Sequence, residues 1–180
     1  MSEDIIVFLE NQSHSVTTIT SKIICGIFVK RMFKTPSALA KWIDEFPFLN
    51  DEDFKKFFLL PNKVVRNTKL HVFQYKILNR ITACHVNLKK WGLSDHNQCG
   101  WCSNVESIQH LFFDCSKVQF LWKGIENWFS SNFNTKIHLS IVDILFGIPY
   151  TKDTLLLYIN LIIFYAKYFL FKLKCEESEP

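Results

Sequence analysis

The sequence predicts an all-α fold, an irregular helical domain of six to eight helices. Two features of composition point there. The chain has 180 residues, 48% of them hydrophobic, with 18 Phe and 5 Trp, so it can fill a core and is no disordered tail. It has only 5 Gly and 5 Pro, too few for the many turns of a β-sandwich. A third observation is patterning. Several stretches carry apolar residues three and four apart, which makes one buried stripe on a helix.

Residues 1–35 form a poorly defined N-terminal segment. Ile5–Leu9 suits a short strand or one helical turn, Ser13–Thr20 a Ser/Thr-rich loop and Ser21–Met32 a helix. The main region, 36–175, opens at Thr35-Pro36-Ser37, because proline is tolerated in a first helical turn. Leu39, Trp42, Ile43 and Phe46 follow at helical spacing, and Pro47 ends that helix. Asn50-Asp51-Glu52-Asp53 starts the next, acidic where the helix dipole is positive; Phe54, Phe57 and Phe58 form its apolar face and Pro61 is expected to stop it. Thr68–Lys90 reads as one long helix. Leu70, Phe73, Ile77, Ile81, Cys84 and Leu88 make its buried stripe, and Lys69, Lys76 and Arg80 a second, basic one. Trp91-Gly92 ends it. Ser116–Phe129 is helical, with Val118, Leu121, Trp122, Ile125 and Trp128 facing inward, and Ser130–Lys136 is a loop. Ile137–Phe146 is a mixed apolar piece closed by Gly147-Ile148-Pro149. Leu155–Leu173 is apolar enough to raise a membrane span, but Asn160 and Lys167 interrupt it and would be costly in lipid. A buried helix is the expected reading, with residues 176–180 as an acidic tail.

The chemistry lies between the long helix and its successor. Cys99, Cys102, His110 and Cys115 follow the pattern C-x2-C-x7-H-x4-C. Three thiolates and an imidazole are a full tetrahedral set for Zn²⁺, as in closed structural sites. Gly100 offers a bend between the first two ligands, and a helical turn would present His110 and Cys115 on neighbouring faces. The expected object is a small CCHC zinc knuckle, residues 99–115, between two helices. It would pin Leu93, Trp101 and Phe112 into a cluster too small to fold alone. Disulfides are the rival reading for six cysteines. The start Met1-Ser2-Glu3-Asp4 has no signal-peptide character, and a reducing compartment favours metal. Cys25, Cys84 and Cys175 are left over, the first two expected to be buried.

The knuckle and its flanks resemble the zinc-binding region on the C-terminal side of reverse transcriptases from non-LTR (LINE-type) retrotransposons. The likeness rests on Phe73-Gln74 and Leu78-Asn79-Arg80-Ile81, then Gly92-Leu93, Cys99 and Cys102, Glu106, His110-Leu111-Phe112, Cys115 and Trp122. It runs from about Pro36 to Lys172. The resemblance implies zinc on the four ligands, a soluble C-terminal core helix, and a role in holding RNA or DNA. Lys69, Lys76, Arg80, Lys89 and Lys90 are the candidate phosphate contacts, and Trp101 could stack on a base or pack over its own site. A net charge of +4 is compatible with that partner without demanding it.

Other activities lack their residues. The polymerase of that family needs paired aspartates for two metals, and no Asp-Asp occurs here. A zinc deaminase would need His-x-Glu before its cysteines. A nucleocapsid knuckle has four residues between its second Cys and His, where this chain has seven. The expectation is a non-enzymatic, intracellular (nuclear or cytoplasmic) zinc protein without a small-molecule substrate. The alternatives are a zinc-stabilised helical scaffold for protein partners, or the remnant of a decayed element. Oligomeric state is left open.

Overall fold

A computed structural model describes residues 6–9, 12–15, 20–23, 25, 36–149 and 153–177. The chain divides into two compact units, residues 1–36 and 37–180. In the first, β1 (Ile6–Leu9) and β2 (Gln12–Ser15) form an antiparallel hairpin with Val7 opposite His14. Ile6–Leu9 thus takes the strand alternative, and part of the expected Ser13–Thr20 loop is a strand. The expected Ser21–Met32 helix falls mostly outside the described residues.

The second unit is all-α, its described strand content limited to one isolated bridge, Gln98 to Val105. Its elements are α1 (Ser37–Glu45), α2 (Asp51–Val64), α3 (Thr68–Leu78), α4 (His85–Lys90), a π turn (His110–Asp114), α5 (Ser116–Phe133), α6 (Ile141–Phe146) and α7 (Thr154–Glu177). Asn50 caps α2 by accepting from the Glu52 and Asp53 amides, and Asp53 returns the bond in a capping box. Pro61 does not stop α2. The helix runs through it to Val64, because Leu60, Pro61 and Val64 all pack into the core. That burial outweighs the bond a mid-helix proline deletes.

The long helix expected over Thr68–Lys90 is two helices. α3 ends in a Schellman motif: the Ile81 amide donates to Lys76 O and the Arg80 amide to Ile77 O, both at 2.9 Å. Arg80 takes the left-handed position at φ 58°, where glycine is usual. Asn87 Nδ2 then donates to Arg80 O at 3.0 Å and Thr82 O at 2.7 Å, which fixes the linker into α4. The break turns Ile81 outward, 46% exposed, so it leaves the buried stripe. α5 runs on to Phe133, with Phe129 rather than Trp128 facing the core.

The core centres on Phe146, with ring centroids 5.1 Å from Trp42, 5.5 Å from Phe54 and 5.1 Å from Phe57. Trp42 also donates its indole N–H to Leu78 O at 2.9 Å. α7 is long and apolar enough to cross a membrane, yet Asn160 and Lys167, which interrupt it, are fully buried against protein. Asn160 accepts from the Ile148 amide and donates to Ile148 O. Lys167 Nζ donates to Gln74 Oε1 at 2.6 Å and Leu145 O at 2.9 Å. Burial pushes the Lys167 amine well below the ordinary lysine range.

Two tests follow from this packing. Gly147 sits at φ 90°, and a Cβ there would run into Leu60 and Asn160. Gly147→Ala should cost about 2 kcal/mol or more in urea unfolding; a change below about 0.5 kcal/mol would contradict the fit. For Lys167 the folded pKa lies below the unfolded one, so the unfolded chain binds the extra proton between them. Stability should rise with pH from the depressed folded pKa up to that of ordinary lysine, by at most about 1.4 kcal/mol per pH unit. Lys167→Met should flatten that rise; an unchanged slope would reject the assignment.

Candidate metal centre

Two local devices bring the four ligands together. The first is the loop from Asn97 to Glu106. It closes with the Cys99 amide donating to Asn104 O at 2.7 Å, the Ser103 amide to Cys99 O at 2.8 Å and the Glu106 amide to Asn97 O at 2.8 Å. The left-handed position falls on Ser103, φ 62°, and Gly100 has a negative-φ backbone with open space around it. The chain turns at Gly100–Cys102 as expected, with Ser103 rather than Gly100 in the left-handed position.

The second device is the π turn. On an α-helix, residues five apart stand about 140° apart, since each residue advances about 100°. The wider π turn closes its hydrogen bond over five residues, Cys115 amide to His110 O at 3.2 Å. That extra residue per turn swings Cys115 back over His110. Ser107 Oγ accepts from the His110 amide at 3.1 Å, and Trp122 Nε1 donates to Phe112 O at 2.7 Å, which ties the turn to α5.

The result is a Cys3His group in which the ligand atoms of Cys99, Cys102, His110 and Cys115 all lie within 4.8 Å of one another. His110 Nε2 is 3.2 Å from Cys102 Sγ, and the Cys102 and Cys115 sulfurs are 3.9 Å apart. All but Cys102 are buried. Burial pushes the Cys115 thiol up to about 11, although it sits at the N-cap of α5. The Asn104 backbone bond lowers the Cys102 thiol. A bound cation would favour the thiolate of each.

Beneath the ligands lies a charged network. Glu106 is 2% exposed. Its Oε1 accepts from the His85 amide at 3.2 Å and meets His85 Nδ1 at 2.9 Å, so it caps α4 where Cys84 does not. Its Oε2 accepts from Lys174 Nζ at 2.7 Å. Lys174 also donates to Cys99 Sγ at 3.0 Å and lies 4.3 Å from the centre of the Trp101 ring. Burial raises the Glu106 carboxyl, but Lys174 and His85 outweigh it and the net shift is downward. Burial likewise opposes the Lys174 ammonium, and Glu106 and Cys99 carry the net shift upward.

The remaining candidate residues separate. Lys69 and Lys76 are exposed on α3, where Lys172 of α7 joins them around a groove of about 430 Å³ floored by Phe73, Tyr168 and Phe171. Lys89 and Lys90 are exposed on the last turn of α4. Arg80 leaves the basic stripe: it pairs with Glu45 at 2.7 Å and lies 4.0 Å over Trp42. Trp101 is half-buried against Lys174, its packing alternative. Leu93 is 72% exposed, so no Leu93–Trp101–Phe112 cluster forms; Phe112 joins the main core. Cys84 is buried as expected, whereas Cys25 is exposed. His85 and His96 stack at 4.8 Å. In the sequence Glu106 stands out only as an acidic position of the pattern, and Lys174 and Lys172 carry no functional expectation. An acid buried between two halves of a metal motif, and a lysine ending an apolar helix, are the signals that mark the first two.

Fold and site together define a helical domain built around a Cys3His knuckle able to hold a metal ion. Residues 49–122 match the family described as zinc-binding in reverse transcriptase, a stretch that contains all four ligands. With its Cys3His group, that segment fits a reverse transcriptase zinc-binding region; the match spans less than half of the 180 residues. No curated protein matches the chain. Replacing Trp122 by Phe, which removes the bond to Phe112 O, should cost about 2 kcal/mol in urea unfolding. A cost near zero would mean that the π turn holds itself.

Proposed function

We propose that residues 49–122 bind one structural zinc ion through Cys99, Cys102, His110 and Cys115, and that the domain so braced positions RNA or DNA without performing chemistry. The observation that carries the zinc reading is the convergence of four soft ligand atoms within 4.8 Å. Zn–S bonds of about 2.3 Å at tetrahedral angles put two sulfurs about 3.8 Å apart. Cys102 and Cys115 stand at 3.9 Å. Four protein ligands leave no open position for a reacting water, which supports a structural role. A reducing intracellular compartment would keep such thiols available.

For nucleic acid, the support is the placement of exposed lysines. Lys69, Lys76 and Lys172 rim one groove, and Lys89 and Lys90 project from the helix that leads into the knuckle. Phosphates would be held by charge, without reading sequence. One observation favours the rival scaffold reading. On α5, Phe120 is 80% exposed and Trp128 49%, on either side of Gly124, in a hollow of about 510 Å³. Aromatic residues so exposed are common in protein-binding surfaces.

Metal analysis of the purified chain should find about one zinc per chain, with helicity around the knuckle lost on chelation. Zinc-loaded protein should bind single-stranded RNA or DNA with an affinity that falls steeply with salt. Replacing Lys69 and Lys76 together by Ala should reduce the salt slope by about 1.4. A zinc-loaded protein with no salt-dependent affinity would leave the scaffold reading in place.

A further inference from the structure

The C-terminal helix reaches into the metal centre through one side chain. Lys174, near the end of α7, is buried with its Nζ 3.0 Å from Cys99 Sγ, 2.7 Å from Glu106 Oε2 and 4.3 Å from the Trp101 ring centre. We propose that Lys174 is a positioning residue of the metal centre: its hydrogen bond to the Cys99 sulfur, oriented by Glu106, quiets that thiolate and slows release of the metal. The inference rests on the zinc reading above and adds to it a residue outside the matched segment.

The argument is electrostatic and geometric. A divalent ion with three thiolates and a neutral imidazole carries a net charge of −1, confined in a site where most ligands are buried. An ammonium held against one sulfur offsets that charge. An N–H bond to a thiolate also draws electron density from sulfur, so the sulfur attacks electrophiles more slowly. Lys174 is the cation hydrogen-bonded to Cys99 Sγ, and its charge also reaches Cys102. Cys99 and Cys115 are equally buried, at 2% and 1% exposure, but Cys115 accepts from the neutral Lys117 and Val118 amides where Cys99 accepts from an ammonium. Glu106 fixes the ammonium by sharing it, and is itself held by the His85 amide and ring. Partners of this kind around metal ligands are worth about ten- to a hundredfold in metal affinity.

The test uses the full chain loaded with zinc, then with cobalt(II). In the wild type, N-ethylmaleimide with site-resolved mass spectrometry should modify Cys99 more slowly than Cys115. In Lys174→Met, zinc should pass to a chromophoric chelator about tenfold faster. Cys99 should overtake Cys115 in alkylation, and the sulfur-to-cobalt charge-transfer band should move to longer wavelength. Lys174→Arg, which keeps a cation at the position, should restore the wild-type order and band. Far-UV circular dichroism checks that the variants fold. If Lys174→Met does not fold, Lys174→Gln is read in its place. An unchanged Cys99 alkylation rate in a folded Lys174→Met or Lys174→Gln overturns the proposal. So does an unshifted cobalt band in a folded Lys174→Met, or equal acceleration at all three cysteines. A wild type that takes up no metal overturns the zinc reading with it, whereas normal uptake with an indifferent Lys174→Met overturns this inference alone.

Discussion

The buried carboxylate of Glu106 is the constraint on which the second unit's organisation depends. It is nearly inaccessible to water, and each oxygen has a partner from a different element. Its backbone takes part as well: the Val86 amide donates to Glu106 O at 3.1 Å. One residue thus starts α4, closes the loop of the first two ligands and anchors the end of α7. Burying a charge is costly, and a buried pair seldom adds much net stability over an apolar pair of the same shape. What the arrangement contributes is uniqueness. Any other seating of α7 would leave Glu106 or Lys174 buried without its partner, a penalty of several kcal/mol.

The metal motif was legible because its information is local. Cys99 to Cys115 lie within one short stretch, and ligand type and spacing speak directly to coordination chemistry. The all-α class was legible because periodicity survives in α2, α3 and α5. The misplaced boundaries share a cause, which is that packing overrode a local rule. Pro61 stays helical because its neighbours are buried. α3 ends at a left-handed Arg80, where a reader of sequence looks for glycine; the side chain's stack on Trp42 and pair with Glu45 hold it there. The π turn has no compositional mark at all. Lys174 was illegible for a plainer reason: its partners Cys99 and Glu106 are 75 and 68 residues away.

The apolar α7 shows how composition and placement diverge. By length and hydropathy it could span a bilayer. Its Asn160 and Lys167 are instead matched, atom for atom, by backbone and side-chain groups of the turn after α6, of α6 itself and of α3. Polar groups so satisfied act as register marks. They fix which turn of α7 meets which neighbour, something an all-apolar helix of the same length would leave open to sliding.

The distance between Lys174 and its sulfur also orders events in time. All four ligands leave the ribosome before Lys174 does, and at 5–20 residues per second the gap from Cys115 is several seconds. A loop spanning so few residues closes in far less time than that. The ligand cluster can therefore assemble on a chain that still lacks the end of α7. The knuckle can then serve as a nascent docking point, with α7, made later, closing over it.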